Sequence, residues 1–205
     1  MSFFLFIKIF FICLLGAMSP GPSMLIVINN ALISKLNGIM TSIGHGLGIG
    51  IYALFAVIGL DLLAQNNQNI FLFLKVISII FLFYLGVSSL FNKYELNNKD
   101  YVKSNKSYLY GFAQGFTISI LNPKIFVFFA AIYSQFISIE NNEILNITLV
   151  LTAMIVDAIW YIVLTFLITF VGISSLTKQK TKIIKKIVGI FFILISMALI
   201  FNLIK

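Results

Sequence analysis

Two proline-containing interruptions inside apolar segments constrain this chain more than any other feature. The first is Ser19-Pro20-Gly21-Pro22-Ser23, within an apolar run over 3–32; the second is Asn122-Pro123-Lys124, within another run about a hundred residues later. These two places hold all three prolines of the sequence. Proline lacks a backbone donor and clashes with the preceding turn, so each segment is predicted to be a broken helix. Matched breaks in two halves of a chain are typical of a transporter's binding site.

Composition places the broken helices in a membrane. Sixty per cent of the 205 residues are hydrophobic and ten per cent are charged, with a mean hydropathy of +1.08. A soluble domain of this length could not carry so much apolar surface. Six apolar segments are each long enough, at ~20 residues or more, to cross a ~30 Å hydrocarbon layer. They cover roughly 3–34, 40–64, 69–91, 111–137, 144–171 and 183–204.

The lysines predict the orientation of these segments. Ten of them lie in the connections after the first, third and fifth segments: Lys35, Lys93, Lys99, Lys103, Lys106, Lys178, Lys180, Lys182, Lys185 and Lys186. The connections after the second and fourth segments carry none, only the acidic Asp61, Glu140 and Glu143 nearby. Lysine concentrates in cytoplasmic loops, so both chain termini are predicted to lie outside the cytoplasm, across the cell (inner) membrane. The net charge of +8 then reflects topology, with contact to membrane lipid, and not nucleic-acid binding.

The same topology relates the two halves of a single transmembrane domain over 1–205. Repeat one, about 3–91, and repeat two, about 111–204, flank a cytoplasmic linker over 92–110 and run in opposite directions. The predicted fold class is an all-α membrane protein of six transmembrane helices, arranged as two inverted three-helix repeats with helices one and four broken. Proline suits the first turn of a helix, and Ser19 and Asn122 are the predicted N-caps. Both half-helices would therefore begin near the middle of the membrane.

The starts of these half-helices predict an anion site. Each presents unpaired backbone N–H groups and about half a positive charge, in a medium where no water competes. Lys124 adds a full charge at a depth where it costs about 3 kcal/mol, which favours a position facing the bundle interior. The predicted substrate-binding residues are those of both breaks: Ser19, Pro20, Gly21, Pro22, Ser23, Asn122, Pro123 and Lys124. The alternative for each proline is a simple helix kink.

Asp157 is the one acidic residue well inside a predicted span, and such residues are functional candidates by default. It could take up and release a proton during a transport cycle. The alternatives are a static ion pair with Lys124 or a hydrogen bond that ties two helices together. Two aromatic residues further along the same segment could line the same cavity, although aromatic packing explains them equally well: Trp160 and Tyr161.

His45 lies within a glycine-rich stretch, Gly44 to Gly50. Its glycines are four residues apart on two helix faces, which permits close helix contact on both and also permits a homodimer. His45 is a second candidate for proton coupling, with a packing histidine as the alternative.

Other chemistry lacks its motifs in this sequence. There is no phosphate-binding loop and no His-Glu-x-x-His pair, and the single Cys13 cannot form an intrachain disulfide. No Cys or acidic residue lies at metal-ligand spacing from His45. The sequence therefore predicts no enzyme activity, no cofactor and no metal site, and transport would have to use an ion or substrate gradient.

The motifs resemble those of a known family. The stretch Gly16-Ala17-Met18-Ser19-Pro20-Gly21-Pro22-Ser23-Met24, with Ala31-Leu32 and the glycines of 44–50, is similar to the first two helices of the lysine exporter (LysE/RhtB) family. A second set of motifs in this chain resembles the fourth helix of that family: Gly111-Phe112, Gly115, Leu121-Asn122-Pro123-Lys124, Phe128-Phe129 and Gln135-Phe136. The resemblance covers essentially the whole chain. It implies a small secondary exporter that moves amino acids or their derivatives out of the cytoplasm, driven by the proton motive force.

Without the family resemblance, the residues alone predict only a secondary transporter for a molecule with a carboxylate. We expect that carboxylate between the half-helix starts at Ser23 and Lys124, with alternating access about the axis between the repeats. One alternative is a metal-cation exporter of a related family, although one buried acid beside a buried lysine is a poor cation cage. Another is a membrane scaffold protein, which would have no need of two matched breaks.

Overall fold

The computed structural model describes residues 3–91, 107–137, 143–171 and 178–204, and all regular structure in these ranges is helical. In chain order the helices are α1 (Phe3–Met18), α2 (Pro22–Ile33), α3 (Lys35–Asn66), α4 (Gln68–Phe91), α5 (Tyr108–Leu121), α6 (Pro123–Tyr133), α7 (Glu143–Val171) and α8 (Lys178–Ile204). The predicted all-α class is confirmed. Four lysines of the predicted linker over 92–110 and one acid of an outer loop lie outside the described residues: Lys93, Lys99, Lys103, Lys106 and Glu140.

Short polar residues fix where several of these helices begin. The Ser34 hydroxyl accepts a hydrogen bond from the backbone N–H of Asn37 at 3.1 Å and caps α3. The Asn67 side chain accepts from Ile70 N at 3.1 Å at the start of α4. Such caps pair backbone donors that the first turn leaves free, so sharp turns between long helices need few residues.

Four helices are long and apolar enough to cross a membrane alone, namely α3, α4, α7 and α8. Two further candidates are bent pairs: α1 and α2 meet at 68°, and α5 and α6 meet at 58°. Counting each pair as one broken span gives six crossings, and the predicted breaks at Pro20–Pro22 and at Pro123 coincide with the two bends. The chain is therefore a multi-pass membrane protein.

The distribution of polarity fits a lipid environment. Large apolar side chains cover the outside, with Phe55 at 67% and Phe73 at 62% exposure. Hydroxyl side chains such as Thr41 and Ser119 lie inside and are fully buried. In a soluble protein the large apolar side chains would be buried and the hydroxyl groups would face water. In a bilayer the reverse arrangement is favourable.

Glycines on two faces of α3 bring its backbone against two neighbours. Gly44 and Gly48 approach α5, and a Cβ added at Gly44 would lie 2.2 Å from the carbonyl oxygen of Phe112. Gly46 and Gly50 approach α7. The predicted close contact on both faces is confirmed. Because both faces are occupied within the chain, a homodimer, which the glycines permit, would need another surface.

Corresponding helices of the two halves pack on one another, α3 on α7 and α4 on α8. The cross-contacts between α3 and α6 have a counterpart between α7 and α2. Such pairing is what a twofold axis between the halves would produce. The inverted relation of the repeats stays a prediction, as do the domain bounds that follow from it.

Candidate functional site

The two helix breaks meet each other through side chains that are about a hundred residues apart in sequence. The Lys124 ammonium donates to the Ser19 hydroxyl at 2.5 Å, and the Asn122 amide donates to the Ser23 hydroxyl at 3.3 Å. Each bond joins one break to the other. The interruptions of the first and fourth spans therefore form one polar centre inside the bundle.

The second break begins α6 as the sequence predicts. Pro123 occupies the first turn, and the Asn122 side chain accepts a hydrogen bond from the backbone N–H of Lys124 at 3.1 Å. The next N–H, of Ile125, bonds to the Asn122 carbonyl at 3.0 Å. The start of α6 thus pairs its own backbone donors, and the predicted N-cap role of Asn122 is confirmed.

The first break begins α2 differently, and the prediction that Ser19 caps this helix is wrong. Helix α2 starts at Pro22, two residues later than a Ser19 cap allows, and its N-cap is Gly21, which has no side chain to accept a bond. The Ser19 hydroxyl is taken up by Lys124 instead. Within the described residues, the backbone N–H groups of Ser23 and Met24 have no acceptor.

A small cavity of about 60 Å³ lies beside the two breaks. Most of the residues that the sequence assigns to substrate binding line it: Ser19, Gly21, Pro22, Ser23, Asn122 and Lys124. Pro20 and Pro123 shape the breaks but do not line the cavity. This volume is well below the ~300–1,000 Å³ that is typical of small-molecule sites.

His45 and Asp157 form a buried hydrogen-bonded pair that lines this cavity. Nδ1 of His45 lies 2.6 Å from Oδ2 of Asp157, and the two side chains are 2% and 7% exposed. They join α3 to α7 where the glycines bring these helices together. Asp157 therefore bonds to His45 across two helices, and the described residues show no ion pair between Asp157 and Lys124. The role of Asp157 in proton coupling stays a prediction.

The second ring nitrogen of His45, Nε2, is buried and has no hydrogen-bond partner among the described residues. With Asp157 ionised, its carboxylate can only accept, so Nδ1 donates to it. Nε2 then presents either a lone pair or, in the imidazolium form, a second N–H. A buried polar atom without a partner is costly, so this nitrogen is suited to meet a ligand or a proton.

The two aromatic candidates in α7 separate. The Tyr161 ring stands edge-on to the His45 ring at 4.9 Å between centroids, and its hydroxyl interacts with the Ser23 side chain. Tyr161 lines the cavity. Trp160 lies instead in an outer groove beside Phe6 and Phe10, so of its two explanations aromatic packing is the one that fits.

Sequence reasoning missed the apolar wall of the cavity. Phe128, Phe129 and Phe192 line it together with Ile49. With 22 phenylalanines in the chain, no single one attracts notice. The available signal was helical spacing: Phe128 follows Lys124 by four residues, so the two share a face of α6.

A second missed contact joins α2 to α5. The Asn30 amide donates to the Gln114 side chain at 2.8 Å, and the Gln114 amide donates to the Tyr110 hydroxyl at 3.1 Å. Asn30 is buried, at 2% exposure. Separated by 84 residues, Asn30 and Gln114 share no spacing that a single sequence could reveal.

Two broken membrane helices that meet at a buried cavity are typical of a membrane transport protein. The model of the LysE type translocator family matches residues 14–203. The chain therefore belongs to this family, as its motifs indicate, and membership makes it a membrane exporter of a transporter family, with a small-molecule substrate and a lipid environment.

Its relatives include two uncharacterised membrane proteins. YrhP of Bacillus subtilis (strain 168) is 26% identical over 186 residues, which cover 85% of this chain and 88% of YrhP. The protein slr1627 of Synechocystis sp. is 27% identical over 169 residues, covering 82% of this chain and 81% of slr1627. No solved structure matches the chain significantly.

Proposed function

We propose that this exporter moves an amino acid or a close derivative out of the cytoplasm, by alternating access and with proton coupling. The observation that carries the proposal is the meeting of Lys124 with the uncapped start of α2 in one buried cavity. A carboxylate is the group that this arrangement complements.

The carboxylate would lie between α2 and Lys124. An ammonium has three donors, of which Ser19 takes one, so two remain for a ligand. The N–H groups of Ser23 and Met24 point along the axis from the start of α2, where the helix dipole favours negative charge. Charge-assisted bonds of this kind are about twice as strong as neutral ones.

Proton coupling would use the His45–Asp157 pair. The pair lies in the same cavity as Lys124, and the free Nε2 of His45 gives it a place to accept a proton or a substrate ammonium. A proton and an ammonium compete for the same negative charge. Export of one in exchange for entry of the other would follow from that competition.

Alternating access is supported by the position of the breaks. Both broken spans bend at the cavity, by 68° and 58°, while α3 is held backbone to backbone against α5 and α7. Rigid helices around two hinged ones could open the cavity to either side in turn. The lysine distribution supports a cytoplasmic position for the connections after the first, third and fifth spans, with both termini on the outer side of the inner membrane. No contact in the described residues favours the metal-cation or scaffold alternatives.

The test is dipeptide-fed export. Cells with and without the protein are loaded with a panel of dipeptides, and each free amino acid is followed inside and outside over time. We expect at least one amino acid to leave faster with the protein present, and a protonophore to stop that difference. If no amino acid moves differently at normal membrane levels of the protein, the proposal fails.

A further inference from the structure

We infer that the substrate is a neutral amino acid with an apolar side chain, and that Gly16 and Phe128 set the size of side chain accepted. The inference rests on the proposed function and names the substrate class of the same cavity. It follows from how charge and apolar surface are divided within the lining.

The charged groups of the cavity suffice for the two groups that all amino acids share, the α-carboxylate at Lys124 and the α-ammonium at the His45–Asp157 pair, and leave none for a charged side chain. Lys124 is the cation at the breaks, and Asp157 is bonded to His45. No other acidic residue lines the cavity in the part of the chain that the structure describes. A lysine or arginine side chain would lie buried without a counter-ion, and an acidic side chain would compete with the α-carboxylate for Lys124. Burial of an unpaired charge is strongly unfavourable, so both classes are disfavoured.

The part of the cavity beyond Lys124 is apolar. Phe128 lies one turn after Lys124 on the same face of α6, so a carboxylate at Lys124 directs the rest of the molecule over its ring. Phe129 and Phe192 close this compartment and are themselves buried, at 4% and 1% exposure. A hydroxyl or amide placed there would be desolvated with few partners, whereas burial there stabilises a hydrocarbon side chain.

Gly16 of α1 lies directly against the Phe128 ring. A Cβ added at Gly16 would lie 2.6 Å from Cζ of Phe128, so a larger residue must displace the ring, which lines the same cavity. Gly16 itself lines the cavity. Gly16 and Phe128 therefore limit the size of substrate side chain that the cavity accepts. The ring keeps its position because α1 carries no side chain at residue 16.

The first experiment is competition among substrates in the dipeptide assay. We expect leucine, isoleucine, valine, methionine or phenylalanine to leave about 10- to 100-fold faster than lysine, arginine, aspartate or glutamate. Preferred export of a charged or hydroxylated amino acid would overturn this inference while leaving the proposed function intact. Absence of all amino-acid export would instead refute the proposed function, and the inference with it.

The second experiment tests this size limit with Gly16→Ala. We expect the ratio of phenylalanine or leucine export to alanine export to fall about tenfold, since one methyl group in an apolar pocket discriminates to that degree. Gly59→Ala is the matched control, because a Cβ at Gly59 meets nothing within 4 Å. An unchanged ratio in Gly16→Ala at normal membrane level would overturn the role of this pair.

Phe128→Leu keeps the test decisive if Gly16→Ala fails to reach the membrane. This substitution replaces the ring by a smaller side chain and enlarges the apolar part of the cavity. The export ratio should therefore shift toward amino acids with larger side chains. A shift toward alanine, or no shift, would contradict the inference.

Discussion

The starts of α2 and α6 use the same sequence device, a proline in the first turn, and end with opposite hydrogen-bonding states. Asn122 satisfies the backbone of α6 from within its own break. Gly21 leaves the backbone of α2 without a side-chain acceptor. One start is thus self-contained, and the other has donors left for something else.

The difference suggests a division of labour. The α6 break is rigidly capped and places Lys124 opposite Ser19, supplying a full positive charge. The α2 break supplies free N–H groups and a dipole end. A carboxylate needs both, so neither break is complete without the other, and variants that change one start alone should reveal which contribution each makes.

Lys124→Met should have the largest effect. It removes the charge that only the α6 break provides while keeping the length and apolar character of the stem. We expect export to fall on the order of 100-fold, the usual consequence of deleting one partner of a buried charged contact. The measurement is amino-acid export at matched membrane levels. Lys75→Met is the control, since that ammonium lies over the Phe71 ring at 4.7 Å, outside this cavity. Normal export by Lys124→Met would remove the carboxylate from this break.

Asp157→Asn tests whether proton coupling is separate from both breaks. The amide keeps the shape of the side chain and can still bond to His45, but it carries no charge. Coupling between two ligands typically changes affinity by about 5- to 150-fold, so export by the unchanged protein should respond strongly to an imposed pH gradient. In Asp157→Asn we expect that response to vanish. Asp61→Asn, near the end of α3, is the control. A variant that still follows the gradient would place coupling elsewhere.

Gly21→Asn tests the difference between the two helix starts, because it gives α2 the same N-cap residue that α6 has. The new side chain would accept from the free N–H groups and compete with the substrate, so export should fall about 2- to 10-fold, the value of one or two hydrogen bonds. Stability should rise by only a few tenths of a kcal/mol, since Gly is itself a fair N-cap. Gly21→Ala is the control: the backbone there is extended at φ −171°, and the added Cβ meets only Ser19 O at 3.9 Å. Equal export by the Asn and Ala variants would show that the α2 donors bind nothing.

The sequence was sufficient for the features that depend on rare residues or on short spacing. Three prolines in 205 residues mark both breaks, because nothing else in an apolar helix removes a donor. The glycines of 44–50 mark two packing faces by their i, i+4 spacing. Asn122 could be named as a cap because it directly precedes a proline that begins a helix.

The features that could not be predicted depend on long-range contacts or on common residues. His45 and Asp157 are 112 positions apart, and no periodicity links them until α3 and α7 are packed. Ser19 is an ordinary cap residue by type, but the second proline at Pro22 delays the start of α2 and leaves its hydroxyl for Lys124. The apolar wall was hidden because phenylalanine is frequent on the lipid-facing surface as well.

Asn122→Ala should have the smallest effect, confined to stability if the α6 start is self-contained as its hydrogen bonds indicate. Loss of the side-chain acceptor for Lys124 N removes about 1 kcal/mol, which lowers Tm by about 2–4 °C in a chain of this size. Thermal unfolding of the purified protein in detergent measures this shift. Asn122→Ser restores a capping oxygen without the amide that bonds Ser23, so it separates the cap from the contact between breaks. If the Ser variant unfolds as early as the Ala variant, the bond to Ser23 stabilises the fold and the two starts depend on each other more than their caps suggest.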